Sequence, residues 1–473
     1  MTSTVIPRKR IVKKSKQTKL IEEKSPIKKN IENITERKKL TERIQIKTSK
    51  PLRQLFKLSK NLYNRANKLV YQGFHMFVLT KGKNTQKAGK RIGYYSLEWE
   101  LRDDPTYRAL PAQTAQQLLR AVEWNWSAFF ESLEDWKANP EKYKRKPNPP
   151  GQKPPEAEWF LIFTNQQMRI KNNFLNFPDI SKIPPVKFYQ ARIGKLKIVR
   201  VLPRGLYSII EIVYERELTF PKEALLKKNR IIGIDLGVRN VACIVGNCGL
   251  RPIIIKGGAI KWVNQYYNKQ RAKFQKIYAN YNIKRQTKRL ERLNQKRNNK
   301  IEDLFHKLSR AIISYCLGND IKIIVIGYNP QWKQKVNLGR RINQTFVNIP
   351  LYRLIQQIKY KAELEGIKVV LIDESHTSKC SFLDNETIGH HEIYRGKRGV
   401  YVSKKNGGKG GIHHGLFQTA TGQIINSDLN GAYNILRKAF PNAFNADGIE
   451  GLGLVPYSLT FGELKRLAKC SLT

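Results

Sequence analysis

The chain has 473 residues, with 88 Lys and Arg against 37 Asp and Glu, a formal net charge of +51 and an isoelectric point near 10.1. That length predicts two to four domains, and so large a cationic surplus predicts a polyanionic partner. An apolar run long enough to span a bilayer, an apolar leader and a paired cysteine framework are all missing from the sequence, which argues against a membrane span, secretion and a disulfide scaffold and predicts an intracellular protein.

Residues 1–41 are rich in Lys, Ile, Glu and Ser without sustained periodicity and are expected to form a basic disordered tail. The stretch PRKRIVKKSK within it reads equally as a nucleic-acid-binding arm or, in a nucleated host, as a nuclear-import signal; otherwise the protein is expected in the cytoplasm or nucleoid. A strand is predicted over 42–49, inside a segment 42–52. Residues 53–138 carry apolar side chains at helical spacing and are expected to form a helical domain, followed by a proline-rich basic linker over 139–154. Short alternating runs over 155–222 (WFLIFTN, MRIKNNFLNF, KLKIVRVL, LYSIIEIVYERE) predict a small β-barrel or meander, which the strand at 42–49 would complete.

A second architecture begins near residue 229. RIIGIDLGVRNVACIVG and RPIIIKG predict three strands, and a long basic helical segment follows, with eleven Lys/Arg and one Glu over 271–300. Then come the strand KIIVI, a helix over 349–366, the strand IKVVLIDE, an irregular Gly/Lys/His-rich stretch, and a helix in SDLNGAYNILRKAF capped by Ser427 or Asp428. Three strands, helix, strand, helix, strand, helix is the element order of an RNase H-like α/β fold, here assigned to 223–375 and 426–445. The remaining segments are an insertion, 376–425, and a C-terminal tail, 446–473.

Three positions carry the candidate chemistry. Asp235 closes a buried apolar strand, a position that faces the crevice at the edge of an open sheet, although an Asp satisfied in a turn reads the same way. Asp428 lies at the first turn of the last helix, where an N-cap role explains it equally well. Hydrolysis of a phosphodiester by two metal ions needs further carboxylates converging with these. The strand 323–326 ends in Gly327 and supplies none. The next strand ends in Asp373 and Glu374, which alternation sends to opposite faces, and Glu374 is the favoured third acid. Repulsion across 271–300 points to phosphate contact, carried by Arg271, Lys273, Lys284, Arg285, Lys288, Arg289, Arg292, Lys296 and Arg297. Trp332 and Lys333 in NPQWKQ are candidates to stack on or contact nucleic acid, with packing an equal account of Trp332.

IGIDLGVRNVA, IGYNPQWKQ, ESHTSKCSFLDNE and INSDLNGAYNILRK resemble the RuvC nuclease blocks of the TnpB and Fanzor proteins, transposon-encoded RNA-guided DNA endonucleases related to type V CRISPR effectors. The resemblance covers 229–440 and extends more loosely into the N-terminal half. Most of that family ends the second RuvC strand in Glu. One rearranged branch, including Fanzor proteins, has glycine there and the acid on the next strand, as Gly327 and Glu374 would be here. The resemblance implies a RuvC-like nuclease domain, a wedge-like β-barrel with an inserted helical recognition domain, and catalysis by Asp235, Glu374 and Asp428 holding two Mg²⁺ ions. It also implies a guide RNA from the transposon end, a double-stranded DNA target read beside a short flanking motif, and a single protein copy in the RNA complex. The family's two CxxC pairs are reduced here to Cys380, with Leu383, Gln418 and Thr421 at the other positions. No zinc is therefore expected, the alternative being a site rebuilt from Cys380 with His390, His391, His413 and His414. Two further readings remain open: a nuclease-dead RNA-guided repressor and a protein-only RNase H-like transposase or resolvase.

Overall fold

The computed structural model describes residues 33–80, 92–188, 194–221, 230–247, 249–283, 287–329, 349–403, 411–444 and 455–467. Strand β1 (Asn33–Lys47) pairs antiparallel with β7 (Tyr207–Pro221) along all fifteen residues. Residues 33–41, expected in the tail, are thus the first half of a strand. The pairing follows from charge on the outer face: Arg43 and Arg200 each lie 2.9 Å from Glu211, a carboxylate only 5% exposed, and Arg37 lies 2.8 Å from Glu217.

Four helices follow β1: α1 (Lys50–Thr80), α2 (Tyr94–Leu101), α3 (Pro105–Arg108) and α4 (Ala112–Ala138). Strand β2 (Leu161–Thr164) comes next, then β3 (Arg169–Lys171), β4 (Phe174–Asn176) and β5 (Val186–Lys187), then β6 (Lys195–Arg204). Among the described residues these strands make an open four-stranded sheet, β1-β7-β6-β2, and a separate three-stranded one, β3-β4-β5, rather than one closed barrel. The β6–β7 hairpin occupies the middle of the larger sheet and leaves β1 and the short β2 as edges. Its apolar face shares one core with the helices, in which Phe56, Tyr63, Leu118 and Trp126 pack with Phe163, Val199 and Ile212.

The proline-rich stretch is a docked strap. Prolines donate no backbone hydrogen bond, and the strap's carbonyls instead accept from one face of α1: Asn67 to Pro150 O (2.8 Å), Asn64 to Lys153 O (2.8 Å) and Lys60 to Pro155 O (2.8 Å). The Lys153 ammonium sits 4.1 Å from the Trp159 ring centre.

The C-terminal half is built on a six-stranded sheet. Strands β8 (Ile231–Asp235), β9 (Asn240–Gly246) and β10 (Ile253–Lys256) are antiparallel neighbours; β11 (Ile323–Gly327) and β12 (Lys368–Ile372) lie parallel to β8 on its other side. Helices α5 (Gly258–Asn280) and α6 (Lys288–Gly318) connect β10 to β11, and α7 (Leu351–Leu364) precedes β12. The expected single basic helix is therefore a helical hairpin. It breaks at Asn282, which adopts a left-handed φ of 51°, and restarts at Thr287, whose hydroxyl caps Leu290 N.

The insertion forms a small sheet of β13 (Lys397–Val402), β14 (Gly411–Gln418) and β15 (Ile424–Asn426), and leads into α8 (Ser427–Ala439). Beyond it, β16 (Tyr457–Leu459) adds to β10 in parallel and α9 (Leu464–Leu467) packs against α6, so part of the expected tail completes the domain. The strands alternate between two cores. Ile232, Ile234, Ile324 and Ile326 face α6 and α7, whereas Ile231, Val325 and Ile372 face α8. No helix of the described residues is long and apolar enough to cross a membrane.

Candidate active site

The α8 side of the sheet places the three acids together. Asp235 shares its face with Ile231 and Gly233, and so points toward α8. Gly233 allows the close approach: a Cβ there would lie 2.7 Å from Ala432 O and 2.9 Å from Leu436 Cβ. One turn along α8 a Cβ on Gly431 would meet the Asp235 Oδ2 at 2.8 Å. Asp428 begins the same helix. Its Oδ2 accepts from Asn240 Nδ2 at 2.7 Å, and its Oδ1 lies 3.7 Å from Arg398 Nη2 on β13. The helix cap is neither Ser427 nor Asp428 but Asn426, whose Oδ1 accepts from Asp428 N at 2.9 Å. Pairing of β15 through Asn426 makes that residue the last extended one, so the cap falls there and Asp428 keeps its carboxylate free of capping.

Strand register distinguishes the two acids after β12. Ile372 pairs with Gly327 and packs on the α8 core, so Glu374, two residues on, shares the face of Gly327 and Asp235. A Cβ built on Gly327 would lie 3.3 Å from Glu374 Cβ and 2.5 Å from Ile435 Cδ1. Asp373 points away and is exposed, with Lys438 at 3.7 Å, and hydrogen bonds to Ser375 hold its carboxyl below the usual range. The chain beyond Glu374 is tied to α8: Thr377 binds Glu374 O through both its N–H (3.1 Å) and its hydroxyl (2.8 Å). Asn434 in turn donates to Thr377 O and Cys380 O, and Asn430 donates to Cys380 O.

Burial first, and then the charges of Asp428 and Glu374, push the Asp235 carboxyl well above its ordinary range, with Arg398 acting in the opposite direction. Asp235 is therefore within electrostatic reach of both other carboxylates, with the Arg398 guanidinium as a counter-charge. Hard divalent cations with oxygen ligands fit that donor set. As the side chains stand, no three His, Cys, Asp or Glu groups among the described residues close on a single ion. Asn240 and Arg398 were not visible as site residues in the sequence. Asn240 follows Asp235 by only five positions and opens the neighbouring strand, which is the one signal that could have found it.

Residues 211–333 match the OrfB_IS605 family, described as probable transposase, and residues 352–435 match the TNB domain of Cas12f1-like proteins. The sequence is 27% identical over 425 residues to the TnpB-like protein ORF457 of Acidianus two-tailed virus, covering 82% of this chain and 83% of that one. The chain is thus similar to TnpB proteins and to the type V effectors related to them. The chain is also 28% identical over 232 residues to a CRISPR-associated endodeoxyribonuclease Cas12f1 of Sulfoacidibacillus thermotolerans, spanning 47% of this chain and about half, 48%, of the relative. Among solved structures, a Cas12f1–sgRNA–target DNA complex aligns over 84% of this chain and 98% of that one, with 16% identity and a TM-score of 0.32.

The insertion is held by hydrogen bonds around Cys380, which is buried and donates its thiol to Gly389 O at 3.6 Å. Glu386, 4% exposed, accepts from Ser381 N (2.7 Å) and Arg395 N (2.9 Å). Asp384 accepts from Ala420 N at 2.9 Å and so joins the two turns where the family's cysteine pairs would stand. His390 and His391 lie in the first turn, whereas His413 and His414 are exposed on β14; the four are not gathered around Cys380 among the described residues.

Of the basic candidates, Arg271, Lys273, Lys288, Arg289 and Arg292 are exposed toward the tip of the α5–α6 hairpin, with Arg289 stacked 4.5 Å over Phe274. Lys296 and Arg297 lie further down α6. Lys284, Arg285, Trp332 and Lys333 fall outside the described residues.

Proposed function

We propose that the protein is an RNA-guided DNA endonuclease of a transposable element, cutting target DNA beside a short flanking motif through a RuvC-like two-metal site. The observation that carries this reading is the placement of Asp235, Glu374 and Asp428, from two strand ends and a helix, on one face of a sheet with the strand order β12-β11-β8-β9-β10-β16. Three antiparallel strands flanked by two parallel ones is the arrangement an RNase H-like domain requires. The +51 charge suits guide RNA and target DNA alike.

Asp235, Glu374 and Asp428 would hold Mg²⁺, which when bound supplies Lewis acidity for a water nucleophile and for the departing oxygen. Asn240 fixes the rotation of the Asp428 carboxylate, and Asn430 and Asn434 fix the turn that delivers Glu374. Arg398 balances the charge of the acids. Base pairing with the guide would read sequence, while the protein reads shape and phosphates. The N-terminal sheet and helices would hold the structured part of the RNA and read the flanking motif. The insertion would keep a finger's place without zinc, its two turns joined by Asp384.

The test is plasmid cleavage with co-purified RNA. Asp235→Ala is expected to abolish Mg²⁺-dependent cutting while guide-dependent binding persists. Undiminished cutting by that variant contradicts the assignment. Binding without product by the parent protein would favour the repressor instead, and cutting that survives RNase treatment during purification would favour a protein-only transposase.

A further inference from the structure

Away from the carboxylate crevice, helices α5 and α6 border a groove of about 310 Å³. Its α5 wall presents Trp262 and Tyr266, one turn apart, with ring planes 17° from parallel and centroids 5.9 Å apart. They are 62% and 50% exposed, so neither ring is used by the core, which takes Ile260 from the far side of the helix and Val263 at the floor of the groove. Two large rings left together in water indicate a partner surface. The α6 wall presents Lys296 and Lys300, one turn apart and exposed, with Arg297 between them. Arg297 is pre-positioned: its Nε donates to the buried Asn264 Oδ1 at 2.9 Å, and its guanidinium lies 5.6 Å from the Tyr267 ring centre, whose hydroxyl is itself bound to Asn294.

Among the described residues no acidic side chain lines the groove, and α5 contains none along its length. A second copy of so cationic a chain would be repelled from such a surface. Double-stranded nucleic acid offers phosphates to the lysines but hides its base faces from the rings. An unpaired nucleotide offers both a flat π-face and a phosphate, which are the two things the walls can bind.

We propose that the α5–α6 groove binds an unpaired stretch of nucleic acid, stacking a base on the Trp262–Tyr266 pair and holding adjoining phosphates with Lys296, Arg297 and Lys300. The proposal rests on the nucleic-acid reading above and adds a site specific for single strands. It separates the two ends of the hairpin: exposed cations toward the tip suit a duplex backbone, and the aromatic groove at the other end suits a strand that has left the duplex.

The test is fluorescence anisotropy with the full-length protein and three labelled probes: a 20-mer of uridine, a 20-mer of deoxythymidine and a 20-base-pair DNA duplex. Trp262→Ala and Tyr266→Ala, both at exposed positions, are each expected to weaken single-strand binding by about 5- to 150-fold, the range that stacking of a base on an aromatic side chain supplies. Duplex binding should change less than twofold, and Trp262→Phe should retain most of the single-strand affinity. Lys296→Ala should lower the dependence of single-strand log K on log salt concentration by about 0.7, one phosphate contact. Loss confined to the RNA or to the DNA 20-mer supports the site and assigns its source. Equal loss on the duplex, or parental affinity in both aromatic variants, overturns it while leaving the nuclease reading standing. A change in oligomeric state by light scattering with binding unchanged assigns the rings to a second copy and also overturns it. Failure of the parent protein to bind any of the probes overturns both readings.

Discussion

Strands β11 and β12 run parallel and in register, pack on the same two cores, and end differently. β11 ends in Gly327, over which Ile435 of α8 closes; β12 continues past Ile372 into Glu374, on the same face. The space that a side chain on Gly327 would need is filled, on one side by Ile435 and on the other by the Cβ of Glu374. An acid at the end of one strand and an acid at the end of its neighbour thus exclude each other. On the proposed reading the glycine is the complement of an acid carried by the neighbouring strand.

That comparison can be broken from either strand. The largest effect is expected from Gly327→Glu in the otherwise native chain, which forces Ile435 and Glu374 apart. Overpacking of this kind costs about 1–3 kcal/mol, to be read as a lower midpoint in urea, with cleavage lost in parallel. A gain in both would show the old position still open. Next is Asn240→Ala, which frees the Asp428 carboxylate from its 2.7 Å donor. Removing a partner that orients a metal-ligating carboxylate costs about 10- to 100-fold in activity or metal affinity, measurable as a higher Mg²⁺ requirement for cutting with guide binding intact.

The smallest effect concerns stability without divalent ions. The Asp235 carboxyl is raised by burial and by its two acidic neighbours, so its folded-state value lies above the unfolded one of about 3.9. The protonated form is favoured in the fold, and the stability it contributes is present below pH about 4 and is lost as the pH rises through the folded value. Asp235→Asn does not titrate. Its melting temperature should therefore match the parent's near pH 4 and exceed it toward neutrality. Mg²⁺ should narrow the gap. A constant difference across pH would show that Asp235 is not held among the acids.

What was legible in the sequence, and what was not, divides along physical lines. The run IIGI before Asp235 and the run KVVLI before Asp373 and Glu374 are short, apolar and closed by turns, so strands and strand ends could be read directly. Two-residue alternation then separated Glu374 from Asp373. The cap of α8 was not legible, because Asn426, Ser427 and Asp428 are all good caps and only the pairing of β15 decides among them. The proline-rich strap read as a linker because its anchors, Lys60, Asn64 and Asn67, look like a solvated helix face until the partner carbonyls are known. The basic segment read as one helix because nothing in its composition marks Asn282 as left-handed. Trp262 and Tyr266 escaped notice because aromatic spacing on a helix ordinarily means core, and only their exposure shows otherwise.

The most direct test of the account sets the two adjacent acids of β12 against each other. Asp373→Ala and Glu374→Ala, prepared with the same co-purified RNA, would be compared in one plasmid cleavage assay at saturating Mg²⁺, with target binding measured alongside. The account predicts background cutting by Glu374→Ala and parental cutting by Asp373→Ala, both with parental binding. Parental cutting by Glu374→Ala, or loss in Asp373→Ala alone, would contradict it.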